Sequence, residues 1–341
     1  MIDLPTIVRF LMQLGLAVTG AASLWLVFLH YRRKKTRGES EYKSLERLAD
    51  FLVTLFFWGF AIFILSWVVL KYFFYVTVTL AHEGIIVKAT FDYIQNGLQA
   101  TVWPVYLLGL LVIVLVYIFR YRKDLFNRYG IFLFGAGFFL VSLIDVFILY
   151  VGSFNKLQFF YFLHHWHSIF TLGTVITVDY LYFRTTGSTN LKRTLYPIFP
   201  FLSAVIWAGL GLDFLSNLLI FKQAFIVNSQ FLFIQTVIAI IILNGAMLSD
   251  KINRRLLTTV QLNNPRPLSQ KEEELFGLSG SVSITSWLTI AFVDLFVFDL
   301  KYWQFLIYYL LVIVAAFVVH RALAGAQKKN KTVRTKLKLF T

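Results

Sequence analysis

The chain contains no cysteine, three methionines and six prolines in 341 residues, and only 14% of it is charged. Without cysteine there are no disulfides, no thiolate-ligated haem and no cysteine-held iron–sulfur cluster. Any metal or haem must be bound by His, Met, Asp or Glu, and three methionines do not make a copper-relay surface of thioethers. Two prolines, Pro197 and Pro200, lie at the entry of one apolar segment. The prolines supply no pair of broken helices of the kind transporters place at the bilayer midplane. No phosphate-cradling Gly-rich loop, no GxSxG and no HExxH occurs.

A soluble domain carries about 25% charged residues, so most of this chain does not face water. What fills the deficit is apolar: 58% hydrophobic residues and a mean hydropathy of +0.72. Runs near 20 residues recur along the length, each sufficient to cross about 30 Å of hydrocarbon. They predict nine spans at 7–30, 51–76, 100–119, 129–152, 158–183, 196–220, 231–249, 279–298 and 303–323. Lipid cannot satisfy an open backbone, and the alternation of barrel strands is missing, so the fold class is all-α, a polytopic helical bundle.

Charge placement sets the orientation. Of 32 Lys and Arg residues, 26 fall in the segments 31–48, 120–128, 184–195 and 250–278 and in the tail after 320. The intervening loops hold four: Lys88, Lys156, Lys222 and Lys301. By the positive-inside rule the N-terminus is outside and the C-terminus cytoplasmic, with the protein in the plasma membrane. The first basic cluster follows the first apolar stretch, as in a retained span rather than a cleaved leader. The net charge of +15 thus answers to orientation and to anionic lipid headgroups at the cytoplasmic face, not to nucleic acid. Other membrane proteins or a second copy of the chain are the remaining candidate partners.

The chain also repeats itself. FLVSLIDVFILY (139–150) matches WLTIAFVDLFVF (287–298), aligning Asp145 with Asp294 and Phe147 with Phe296; LQFFYF (157–162) matches WQFLIY (303–308). Trp58 and Trp207 sit at similar depth in spans two and six. The expected organisation is a four-helix repeat over 1–152, a second over 153–298 carrying the polar groups, a ninth span over 299–323 and a basic cytoplasmic tail over 324–341. Four spans per copy give parallel repeats.

Intramembrane charge is costly and usually faces a bundle interior. Four carboxylates lie within spans: Asp145, Asp179, Asp213 and Asp294. Asp145, Asp213 and Asp294 lie about 7–10 Å inside the outer ends of their spans, and Asp179 lies near the inner end of span five. His164-His165-Trp166-His167 occupies the same outer layer. His164 and His167, three apart, share a helix face, while His165 points about 100° away. Two imidazoles plus a carboxylate from a neighbouring helix, Asp213 or Asp294, can bind Zn, Cu or Fe. The same residues also fit an interfacial His/Trp belt or a proton relay. His30 and His320, at inner helix ends beside basic residues, read as snorkelling interfacial groups.

Spans five to nine resemble small bacterial membrane proteins of the copper-resistance D-like and HemJ-type protoporphyrinogen oxidase groups. The resemblance rests on His164, Gly173, Asp179 and Arg184, then FIQTVIAIIILNGAMLSDKINRRL (233–256) and the Gly- and Ser-rich GLSGSVSITSWLTIAF (277–292). It implies haem b bound through His164. Gln235 stands where the HemJ-type pattern has Lys, and Leu11 is where the first repeat would carry its counterpart of His164. The expectation is therefore a membrane protein binding haem b or a transition metal in the outer half of the second repeat, with a redox or metal-handling role. The alternatives are a proton-coupled transporter using Asp145 and Asp294, or a non-catalytic scaffold.

Overall fold

The apolar runs form helices, and their bounds follow local chemistry. The computed structural model describes residues 4–83, 114, 121–122, 156–185, 191, 194–195, 198–224, 228–248, 270–294 and 298–337. Among these lie seven bounded helices and no strand: α1 (Leu4–Lys35), α2 (Glu39–Glu83), α3 (Lys156–Thr185), α4 (Phe199–Ala224), α5 (Ser229–Leu248), α6 (Gln270–Asp294) and α7 (Tyr302–Leu337). Five contain stretches long and apolar enough to cross a membrane, at Ile7–Lys35, Glu39–Leu70, Pro200–Ile220, Ser229–Met247 and Tyr302–Val319. They correspond to expected spans one, two, six, seven and nine. Spans five and eight are helices too, α3 and α6, with apolar stretches at Ile169–Leu181 and Leu278–Val293 among the described residues. Span three apart from Val114, span four, and Asp145 with it, lie outside the described residues, as does the 139–150 side of the repeat match.

The expected loop 31–48 is overturned. Helix runs through it on both sides, leaving only Thr36–Gly38 between α1 and α2. Lys, Arg and Glu are good helix formers, and here they are arranged to suit helix ends. Arg32, Arg33, Lys34 and Lys35 fill the last turn of α1, while Glu39 and Glu41 fill the first turn of α2, each complementing its macrodipole. Arg32 reaches Glu41 at 3.8 Å, Lys43 pairs with Glu39 at 2.6 Å one turn away, and the Arg33 guanidinium lies over Tyr42. Likewise the basic tail does not begin as a separate segment: α7 continues from the ninth span to Leu337.

Contacts divide the chain into two units, Met1–Gln223 and Ala224–Thr341. In the first, α1 is the central helix, packed against both α2 and α3. Its small residues allow close approach. A Cβ on Gly15 would lie 2.7 Å from the Gly59 carbonyl oxygen, and one on Gly173 would collide with the Ala17 backbone. Close helix contact through small residues replaces the hydrophobic drive that lipid cannot supply. Around these contacts Leu26, Leu45, Leu48, Leu52, Leu195 and Leu202 are almost fully buried. Trp25 donates across to Thr174 Oγ1 at 3.4 Å, and Arg184 at the end of α3 lies over Phe51 of α2. His30 is a correction to the snorkelling reading: it is 4% exposed, lining with Arg33, Leu26, Leu29, Leu45 and Ala49 the inside of the α1–α2 contact.

In the second unit, α5, α6 and α7 pack mutually. Phe233 stacks on Phe305 with centroids 4.9 Å apart. Hydrogen bonds join all three helices. Asn244 donates to the Ser279 carbonyl at 3.0 Å and accepts from the Ser279 hydroxyl at 2.6 Å. The Ser286 and Tyr309 hydroxyls meet at 2.6 Å, and those of Thr236 and Tyr302 at 2.8 Å.

Both units are apolar on the outside. Leu65, Trp58 and Leu243 are each 67% exposed, and α7 exposes Leu310, Leu311, Val314 and Val318. Inside the first unit lie Gln13, Thr19, Ser23, Thr171, Thr174 and Ser216. An apolar exterior of this extent would aggregate in water but suits acyl chains, so the chain is a membrane-embedded helical protein.

Two outcomes test this packing. Gly173→Ala should destabilise the detergent-solubilised protein by about 1–3 kcal/mol through overpacking against α1. Gly211→Ala, where an added Cβ meets nothing within 4 Å, should be silent in the same unfolding assay. Asn244→Ala should cost about 0.6–1.7 kcal/mol, the range for interhelical hydrogen bonds in bilayers.

Candidate metal centre

The site is built by one antiparallel helix pair. On α3, His164, His167, Thr171 and Thr174 recur at spacings of three and four and so share a face. On α4, Gly209, Asp213 and Ser216 do the same. Gly209 receives the Thr171 side chain of α3, with which a Cβ there would collide. From it the contacts run in opposite directions along the two helices, 171 with 209 and then 167 and 164 with 213 and 216, as in an antiparallel pair. One full turn beyond the glycine contact, the two imidazoles therefore meet the carboxylate and the serine.

The donors converge. His164, His167 and Asp213 are 5%, 3% and 3% exposed, and one ligand atom from each lies within 4.8 Å of the others. His164 Nδ1 lies 3.2 Å from Asp213 Oδ1 and 3.2 Å from Ser216 Oγ. His167 Nε2 lies 2.9 Å from the same Oγ. The rings stand edge to face, 5.5 Å apart. Ser216 has one proton, and it donates to the Asp213 carbonyl at 3.0 Å. With its proton so placed, the hydroxyl presents lone pairs to His167, and the Nε2–H tautomer of that ring satisfies the 2.9 Å contact. His164 Nδ1 accordingly carries its proton toward the Asp213 carboxylate. Asn217 Nδ2 donates to the other carboxylate oxygen at 3.3 Å, and Thr171 Oγ1 donates to the His167 carbonyl at 2.8 Å, fastening that turn of α3.

A carboxylate taken out of water is tolerated when paired and hydrogen-bonded, and Asp213 is both. Two imidazole nitrogens and one carboxylate oxygen form a donor set suited to Zn²⁺, Cu²⁺ or Fe²⁺, whereas an all-oxygen cage suits Ca²⁺ or Mg²⁺. The group can hold such an ion.

The expected residues divide clearly. His164, His167 and Asp213 come together as the sequence suggested. The belt reading fails for the two histidines, because belt side chains lie at the protein surface and these are buried. Asp179 is on α3 but twelve residues past His167, about 18 Å along the axis, and is no part of the group. Asp294 ends α6 in the other unit; its side chain, like that of His165, is outside the described residues. Ser216, Asn217 and Gly209 are additions. Ser216 falls at i+3 from Asp213, and that spacing was the available signal.

No family model matches the chain, and no curated protein sequence matches it.

Proposed function

We propose that this protein is an integral membrane metal-binding protein that holds one transition-metal ion at His164, His167 and Asp213, in the outer half of the bundle, and serves a metal-handling role. The observation that carries the reading is the convergence of three buried donors from two helices to within 4.8 Å. Intramembrane ionisable groups are costly to keep and mark functional sites. One edge of the site, 3.2 Å between His164 Nδ1 and Asp213 Oδ1, already matches the separation of two ligands about 2.0–2.1 Å from a shared tetrahedral ion.

Haem b, implied by the resemblance to HemJ-type proteins, fits less well. Axial ligation presents one imidazole to a flat macrocycle, whereas here both rings aim inward at a carboxylate and a hydroxyl. A proton-handling role at the His164–Asp213 pair, as part of a coupled transporter, is the second reading, favoured by the 3.2 Å ion-pair geometry in a buried place. Anionic lipids at the cytoplasmic side, met by the basic ends of α1 and α7, complete the membrane setting.

Purified protein should contain one divalent transition-metal ion per chain after reconstitution and show no haem band in a reduced-minus-oxidised spectrum. Saturating Zn²⁺ at 100 times Kd should stabilise the folded form by about 2.7 kcal/mol, read as a rise in melting temperature. A haem spectrum, or flux that follows pH while no metal binds, would sink the reading in favour of the alternatives.

The site should also be confined to α3 and α4. His164→Ala and Asp213→Asn should abolish stoichiometric metal. Trp58→Ala, at a position 67% exposed on α2, should leave metal content unchanged. Equal loss in all three variants would show that the site is not local.

A further inference from the structure

A transition-metal ion at His164, His167 and Asp213, the reading this step rests on, has three protein donors, and the fourth position decides its use. An open position suits catalysis or exchange; a filled one suits tight holding. We infer that Ser216 Oγ is the fourth ligand, closing the site as a His₂-Asp-Ser set.

The argument is metric. Ligands about 2.0–2.1 Å from a tetrahedral ion lie about 3.3 Å from one another. Four donors define six such edges. Three are short here: 3.2 Å from His164 Nδ1 to Asp213 Oδ1, 3.2 Å from His164 Nδ1 to Ser216 Oγ, and 2.9 Å from His167 Nε2 to Ser216 Oγ. Ser216 stands at ligand separation from both imidazoles. It is also 1% exposed, so its side chain has no solvent conformation to turn to.

The hydroxyl's orientation fits the role. Its proton goes back to the Asp213 carbonyl, which leaves its lone pairs facing the two histidines. In the metal-free arrangement those lone pairs accept imidazole N–H groups. Loading an ion requires each histidine to move its proton to the other ring nitrogen or lose it, and then nitrogen and hydroxyl lone pairs face the ion together. Nothing on α4 has to move by a turn. Ser216 thus holds the histidines in place before loading and ligates afterwards.

The absence of cysteine from the chain gives a direct test. Ser216→Cys introduces the chain's sole thiol at the position in question and changes little in volume. The full-length protein in detergent is titrated with Co²⁺. Wild type should give the d–d bands of a tetrahedral site. The Ser216→Cys protein should add a near-ultraviolet thiolate-to-Co²⁺ charge-transfer band, saturating at one ion per chain and lost when His164→Ala is combined with it. Ser216→Ala should bind Co²⁺ more weakly by at least about 10–100-fold, the loss typical of removing even a hydrogen-bonded partner of a ligand, and covers the case in which Ser216→Cys fails to fold. If wild type binds Co²⁺ but the thiol gives no charge-transfer band, or Ser216→Ala binds as tightly as wild type, Ser216 is not a ligand and the three-donor site stands. If wild type binds no Co²⁺, the metal reading itself falls and this inference with it.

Discussion

Hydrocarbon offers Asp213 no solvent, and much of the arrangement of α3 and α4 follows from that. A buried carboxylate left alone costs several kcal/mol, and removing one member of a buried pair typically costs 3–5 kcal/mol. Here His164 faces one oxygen, Asn217 the other, and Ser216 ties the carbonyl of the same residue to His167. Each partner is three or four residues from another along its helix, so satisfying one group brings the next into place. Such a network holds two helices in one register. A slip of a single residue on α4 would turn Asp213 about 100° away from both imidazoles.

That register needs the helices close, and small residues make them so. Gly209 against Thr171, Gly173 against Ala17, and Gly15 against Gly59 form a chain of close approaches from α4 through α3 and α1 to α2. Leu and Phe on the outside face acyl chains and contribute little to association there, because lipid is as apolar as they are. Specificity inside the first unit therefore rests on glycine contacts and on hydroxyls. Thr19, Ser23, Thr171 and Ser216 bond back to carbonyls of the preceding turn. This pattern is common in membrane helices, where no water competes for the carbonyl.

Much of this was legible in the sequence, for physical reasons. Unbroken apolar runs such as 231–249 can only be helices in lipid, and α5 follows that expectation within a few residues. The shared face of His164 and His167 follows from a spacing of three, and Asp213 was placed at their depth by counting residues from the span end. What the sequence obscured was of two kinds. Charge-rich stretches look like loops, yet Arg32–Lys35 and Glu39–Lys43 are strong helix formers placed at helix ends, so α1 and α2 run on past the apolar segments. Single serines carry no signal on their own. Ser216 becomes visible only once a second helix brings two imidazoles to it, and Gly209 matters only because Thr171 lies opposite. His30 shows the same limit from the other side: a histidine next to Arg32 and Arg33 reads as interfacial until Leu45 and Ala49 of α2 are found packed over it.

Leu26 is 1% exposed in the core between α1 and its neighbours. A leucine there can be buried at no desolvation cost, so α1 can occupy the centre of the first unit and pack on α2 and α3 at once. An aspartate in its place would need a partner of its own and would fix α1 in a second register, competing with the one that α3 and α4 require. An uncharged residue at this position leaves the carboxylate register of α3 and α4 unopposed. The helix that contributes no ligand then contributes rigidity: Trp25 of α1 bonds Thr174, two turns along α3 from His167, and so braces the ligand-bearing helix.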